Sequence, residues 1–243
     1  MAIELMTGKI SRLILLSILL LLQGLPAALI NWDGGGGDSL WTNPLNWSDN
    51  NIPGSDDDVT INLSARVVLM NENAVAQSIT IAANNSLKVK NGLNINIDGN
   101  IVINGTLILE GNASLNILGN WNRTGSFAPG FSTIIFDGNR NSNIQNAETF
   151  YNLTLNKSNR NRNLINQGST AVKLSILNNL SLISGSFTVR DLAGTDLDID
   201  GNIIIDASAN GVLDLSNATV DRIIAELAGN FINSSTDAGS FLD

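Results

Sequence analysis

From about Val59 onward, apolar and polar residues alternate in short bursts separated by Gly or Asn. Ile79 and Ile81, Leu87 and Val89, Ile95 and Ile97, Ile101 and Ile103, Leu107 and Leu109, then Leu115 and Ile117 follow one another. Period-two patterning of this kind marks strands with one buried face. The bursts recur every six to eight residues with no helix-period stretch between them, too close for hairpins of ordinary length to dominate. A longer period overlies the short one. Residues 99–107 align with residues 119–127 at an offset of twenty, and a Gly-x-Leu/Phe element returns at Gly105, Gly125, Gly185, Gly211 and Gly239. Gly125 and Gly185 are sixty residues apart, which reads as three periods of twenty, after which the step lengthens to 26 and then 28. The gap from Gly201 to Gly211 is ten residues where the gap from Gly99 to Gly105 is six, which predicts a four-residue insertion in the later coils.

Three strands of about five residues and three turns use roughly twenty residues, one turn of a parallel β-helix. The predicted fold is therefore all-β, a parallel solenoid, right-handed by the usual chirality of parallel crossovers. An antiparallel β-sandwich is the second choice, because its strands would recur every 8–12 residues with no twenty-residue register. The solenoid also accounts for an unusual amide content. Asn occurs 36 times, about 15% of the chain, and Asn repeated at turns stacks into ladders that satisfy donors and acceptors coil by coil.

The first 58 residues break the pattern. Lys9 and Arg12 precede an apolar run at residues 13–22, followed by Gly24, Pro26, Ala27 and Ala28. A basic start, a short apolar core and small residues make an export signal, predicted over residues 1–28 with cleavage after Ala27 or Ala28. Residues 29–58 carry Trp32, Trp41 and Trp47 around four consecutive glycines, residues 34–37. Three indoles at the start of a solenoid predict a capping segment over the first coil, since repeats need capped ends. Exposed, the same rings would be a stacking platform for carbohydrate. The repeats then run over residues 59–243. Residues 229–241 repeat the pattern of residues 201–213, and nothing after them reads as a cap. The expectation is a chain cut from something longer, self-associating through an exposed C-terminal coil.

Composition narrows the chemistry. The formal charge is −9, from 13 Lys and Arg against 22 Asp and Glu, with neither His nor Cys. This excludes thiolate and imidazole metal sites and His-based triads, and argues against nucleic acid as a partner. No phosphate loop or nucleophile elbow is present, and no cofactor or metal is expected. An enzyme acting on polysaccharide would need clustered carboxylates, or a carboxylate with Lys or Arg. Asp196, Asp198 and Asp200 alternate through residues 196–200, close to Asp191, Asp206 and Arg190, and are the candidates. As a solvated strand face opposite Leu197 and Ile199 they need no such role. Residues 157–162, Lys-Ser-Asn-Arg-Asn-Arg, interrupt the acidic surface and predict a loop leaving the solenoid.

The Trp-Asp-Gly-Gly-Gly-Gly-Asp-x-x-Trp opening at residues 32–41, with Asn46-Trp47, Pro53-Gly54 and the Asp-Val-Thr-Ile of residues 58–61, resembles the start of bacterial secreted β-solenoid surface proteins with autotransporter-like or filamentous-haemagglutinin-like repeats. Gly125-Ser-Phe, the Ile-Ile-Phe-Asp-Gly of residues 134–138 and residues 149–155 are similar to repeat units of that group. The resemblance implies a secreted, cell-surface or outer-membrane-associated location. It also implies a structural or adhesive role toward a glycan or a host or neighbouring-cell surface, with no catalytic residues to carry over.

Overall fold

A computed structural model of the chain describes residues 27–63, 66–166, 173–189, 196–215, 224–234 and 241–242. The predicted export signal lies outside the described residues apart from Ala27 and Ala28. Among them no helix is long and apolar enough to cross a membrane.

Strand β1 (Ala28–Asn31) precedes a long connection containing one 3-10 turn, Pro44–Asn46. A three-sided coil follows, built from β2 (Asp57–Ile61), β3 (Val67–Met70) and β4 (Ala74–Ala76). The next coils are β5 (Ser78–Ile81), β6 (Ser86–Val89) and β7 (Asn94–Ile97), then β8 (Ile101–Ile103), β9 (Thr106–Leu109) and β10 (Ser114–Ile117). After these come β11 (Trp121–Arg123), β12 (Ser126–Ala128) and β13 (Thr133–Gly138), then β14 (Ser142–Ile144), β15 (Glu148–Phe150) and β16 (Asn152–Lys157). Strands β17 (Asn163–Asn166), β18 (Leu174–Ile176), β19 (Leu180–Val189), β20 (Asp196–Ile199), β21 (Ile203–Asp214), β22 (Ile224–Leu227), β23 (Phe231–Asn233) and β24 (Phe241–Leu242) continue the winding.

Every strand joins its neighbours in parallel, and the coils stack into three faces of a β-solenoid. The first face runs β1-β2-β5-β8-β11-β14-β17 into the second half of β19. The third runs β4-β7-β10-β13-β16 into the first half of β19. The second face is divided: β3-β6-β9-β12 is one ladder and β15-β18-β20-β22 another. Between β12 and β15 the ladder stops.

The alternating residues fill the interior as their pattern predicts. Val59, Ile79, Ile101, Trp121 and Ile144 stand in one buried column of the first face. Leu87 and Leu107 line the second, and Ile95, Leu115, Ile134 and Leu153 the third. The twenty-residue register between Ile101 and Trp121 is observed. Two readings need correction. Gly105 and Gly125 mark the corner from the first face to the second, whereas Gly185 and Gly211 lie inside β19 and β21 at the corner from the third to the first. The sixty residues from Gly125 to Gly185 therefore cover two turns and two further faces, not three turns. The later insertion follows the same logic. Leu182 pairs with Ile205 and Ser184 with Asn210, so β21 holds three extra residues at that corner relative to β19. Gly125 is where it is because a Cβ there would collide with the carbonyl oxygen of Gly105 in the coil beneath.

The Asn excess is spent at corners. Asn152 Oδ1 accepts from the Asn179 N–H at 3.2 Å, Asn179 Oδ1 from Asn202 at 3.0 Å, and Asn202 Oδ1 from Asn230 at 2.9 Å. A second column passes from Asn100 to Asn120 to Asn143, at 2.8 and 2.9 Å. Each amide oxygen binds the backbone N–H that starts the next coil, a donor that the strand ladder alone would leave unpaired.

Candidate functional site

The Trp-rich segment builds on β1, whose residues pair with β2 one for one from Ala28–Asp57 to Asn31–Thr60. The chain then leaves the ladder through the glycine loop, and Leu40 bridges back to Leu69 of β3. Asp38 organises the return. Its carboxylate accepts from Leu40 N–H at 3.0 Å, Asn43 Nδ2 at 3.0 Å and Asn46 Nδ2 at 2.7 Å, and these bonds hold it below the ordinary carboxylate value. Asn43 caps the 3-10 turn by accepting from Leu45 N–H. Trp47 follows, stacked edge-on between Trp32 (5.0 Å between centroids, 90°) and Trp41 (4.7 Å, 73°). Its indole N–H donates to the Trp41 carbonyl at 2.8 Å. Trp32, Trp41 and Trp47 are 2%, 1% and 0% exposed, so none presents an open ring face to a sugar.

Trp41 nevertheless borders a cleft. The return segment carries it, with Thr42, to the corner between the second and third faces, opposite Glu72, Asn73, Ala74 and Val75. Ile52 and Pro53 close one side, and Asn94 and Asn96 of β7 form another. The cleft measures about 280 Å³. Its walls are tied together: Asn71 Nδ2 donates to Thr42 Oγ1 at 2.9 Å, and Asn73 Oδ1 accepts from Asn94 N–H at 2.8 Å. Two of these residues also carry a polar atom that is buried without a partner, the Trp41 indole N–H and Asn96 Oδ1. A second, more open cleft of about 430 Å³ lies at the corner between the third and first faces, with Asp56, Asp58, Gln77, Ser78, Asn100 and Arg140 on its walls. Among the described residues no group of three acidic side chains is placed to hold a metal ion.

The aspartates of the polysaccharide-enzyme reading do not form one row. Asp196 and Asp198 belong to β20, where Leu197 and Ile199 are buried and Asp198 between them is half-buried. Asp200 lies past the strand in the turn. Asp198 pairs with Lys173 of the coil beneath, Nζ to Oδ2 at 2.7 Å. Asp191 and Arg190 fall outside the described residues. The basic stretch also divides. Residues 158–162 make the loop between β16 and β17, but Lys157 points inward and is 2% exposed. Its ammonium donates to the Asp137 carbonyl at 2.6 Å and to Ser142 Oγ at 2.8 Å, with the Phe136 ring 5.9 Å away. Burial pulls Lys157 down to about 8 from an ordinary 10.5, against the opposing pull of Asp137. Burial likewise pushes the Asp137 carboxyl up.

One polar cluster had no signal in the pattern. At the break between β12 and β15, Glu148 is 4% exposed and its Oε2 accepts from Trp121 Nε1 and from Arg123 Nε, each at 2.6 Å. Arg123 also donates to the carbonyls of Gly125 and Ala147, both at 2.7 Å. The guanidinium thus bridges two coils where ladder bonds are missing. Phe127 and Phe150 complete an aromatic group with Trp121, at 4.9 and 5.2 Å. The bonds that Glu148, Trp121 and Arg123 make run to partners inside the protein, which makes the cluster structural.

A domain-family model, described as a domain of unknown function (DUF8693), matches residues 31–133. The matched stretch runs from the last residue of β1 to the first of β13, and so contains the Trp segment, the 280 Å³ cleft and the whole β3-β6-β9-β12 ladder. No curated protein and no solved structure matches the chain.

Proposed function

We propose that this chain is a structural and adhesive β-solenoid segment of an exported bacterial cell-surface protein, and that it is not a catalyst. The observation that carries this reading is the coil-on-coil stacking, with parallel ladders from β1 to β23 and asparagine columns over residues 100–143 and 152–230. Such stacking makes a stiff rod from repeats that each contact only their neighbours. Self-association through the C-terminal coil belongs to this reading: Phe231 stands in register with Ile203 and Leu180, and Phe231 and Ile232 are each 43% exposed, so this coil offers strand edge and apolar surface to a second copy. The tryptophan segment serves as the cap at the opposite end. Export rests on the basic and apolar pattern of residues 9–28. Protease shaving of intact cells of the source bacterium tests the location: release of peptides from residues 29–243 is expected, and complete protection until lysis refutes surface display. Light scattering of residues 29–243, with and without a polar capping coil fused after Asp243, tests the open end. Self-association that the cap abolishes is expected, and a monomer without it removes that part of the reading.

A second reading, a polysaccharide-cleaving enzyme, draws on the Lys173–Asp198 pair on the outer surface. Release of new reducing ends or unsaturated products from a polysaccharide panel, lost in Asp198→Asn, would replace the first reading with this one.

A further inference from the structure

We infer that the corner between β6 and β7 carries a self-modification site, at which Asn91 loses its side-chain amide to the Gly92 nitrogen and becomes aspartate or isoaspartate. The chain holds three Asn-Gly pairs, Asn91-Gly92, Asn104-Gly105 and Asn210-Gly211. In such a pair the glycine nitrogen can close a five-membered ring on the asparagine Cγ, because no β-carbon crowds its approach. The Gly92 nitrogen attacks Asn91 Cγ and gives its proton to solvent, while Nδ2 takes up a proton and leaves as ammonia. Water then opens the succinimide at either carbonyl. One route leaves aspartate, and the other leaves isoaspartate, with an extra methylene in the main chain. In sum one water is consumed, one ammonia is released and one negative charge is gained.

The fold sorts the three pairs. Ring closure needs a glycine N–H that is not engaged and a main chain that can turn. Gly105 is buried, and its N–H donates to the Ile81 carbonyl at 3.0 Å. Gly211 is buried within β21, in register with Gly185 of the coil beneath. Gly92 differs from both. It is exposed, in a turn closed by the Leu93 N–H on the Lys90 carbonyl at 3.2 Å, with φ at +75° and open space where a Cβ would stand. Among the described residues no hydrogen bond engages its N–H. Asn91 is exposed as well, and its Oδ1 accepts from the Asn112 N–H of the next coil at 2.8 Å. That donor polarises the carboxamide and stabilises the oxyanion that forms as Cγ is attacked. The asparagine column of the later coils shows the opposite arrangement. Asn152, Asn179 and Asn202 also accept on Oδ1 from the coil above. The N–H that follows each of them, in Leu153, Leu180 and Ile203, is held by the next coil's carbonyl at 3.0, 2.9 and 3.0 Å. Those amides are protected by the ladder that they help to build.

The test incubates the whole chain near neutral pH, once folded and once in concentrated urea. Tandem mass spectrometry and isoaspartyl methyltransferase labelling follow each asparagine. In the folded chain Asn91 should convert at least about tenfold faster than Asn104 or Asn210, whose glycine nitrogens are released only by local opening. In urea, where the fold no longer distinguishes them, the three rates should agree within about threefold. Gly92→Ala sets a β-carbon beside the attacking nitrogen and should slow Asn91 at least about tenfold in either solvent, so its effect does not depend on how well the variant folds. Equal rates at the three pairs in the folded chain, an Asn91 that converts in urea but not when folded, or an unchanged rate in Gly92→Ala would each overturn the inference.

Discussion

The guanidinium of Arg123 meets the carboxylate of Glu148, Nε to Oε2 at 2.6 Å, across the point where the second face of the solenoid loses its β-ladder. Arg123 stands in register with Ile103, a buried core position of the coil beneath. A charge there is tolerable because Glu148, two main-chain carbonyls and the Trp121 indole form a closed set with it. The bridge takes over where the strands separate.

Breaking that set should be costly. Glu148→Ala leaves Arg123 and the Trp121 N–H without their shared acceptor in a buried place, and is expected to destabilise by about 3–5 kcal/mol. Urea denaturation monitored by circular dichroism measures it. A loss under about 1 kcal/mol would mean that water replaces the carboxylate and that the coils are held by other contacts.

The tryptophan segment makes a similar prediction at the other end. Trp41→Ala removes a ring packed on Trp47 and takes away part of the cleft wall, and should cost about 3–5 kcal/mol. Trp41→Phe should cost less, because much of the ring contact survives. Thermal melts of both variants provide the comparison, and equal stability of Trp41→Ala and the parent would show that the segment does not cover the core.

Lys157 confers a pH dependence of definite sign. Its ordinary value of 10.5 falls to about 8 in the folded chain. Below about pH 8 both folded and unfolded chains hold the proton, and the penalty for burying the ammonium is present in full. Between about 8 and 10.5 the unfolded chain binds more protons than the folded one, so stability rises with pH. Denaturation midpoints at pH 7.5 and pH 9.5 should differ in that direction, and the contribution should vanish in Lys157→Met. An identical slope in the variant would assign the effect to other groups.

The asparagine columns should act locally. Asn202→Ala removes the oxygen that accepts from the Asn230 N–H and Nδ2, at a cost of about 1 kcal/mol. Hydrogen exchange is the sharper readout: the Asn230 amide should exchange faster while that of Asn179, one coil earlier in the column, keeps its protection.

How far these features could be read beforehand depends on their range. Ile79, Ile81, Leu87, Val89 and their successors could be placed inside because a strand alternates its faces residue by residue, whatever surrounds it. The asparagine ladders were legible for a related reason: identical residues at equivalent turns must stack once coils stack. Lys157 departs from the surface loop that the basic run of residues 157–162 predicts, because a run of charge carries no information on which way one side chain points. Its strand still alternates, and Leu153, Leu155 and Lys157 share the inner face of β16.

The sequence by itself determined the all-β class, the inward residues, the twenty-residue coil at Ile101 and Trp121, and the amide columns. All of these follow from short-range periodicity repeated along the chain. The tertiary structure decided which corner each glycine occupies, where the second face breaks, that Glu148 pairs with Trp121 and Arg123, and that Trp41 and Asn96 meet at one cleft. The physical reason is the corners. A strand commits its residues to two faces, but a turn accepts residues at little cost, as β21 does with three more than β19. Repeat spacing therefore stops counting faces after the first variable corner, and contacts between coils are settled only when the chain is wound.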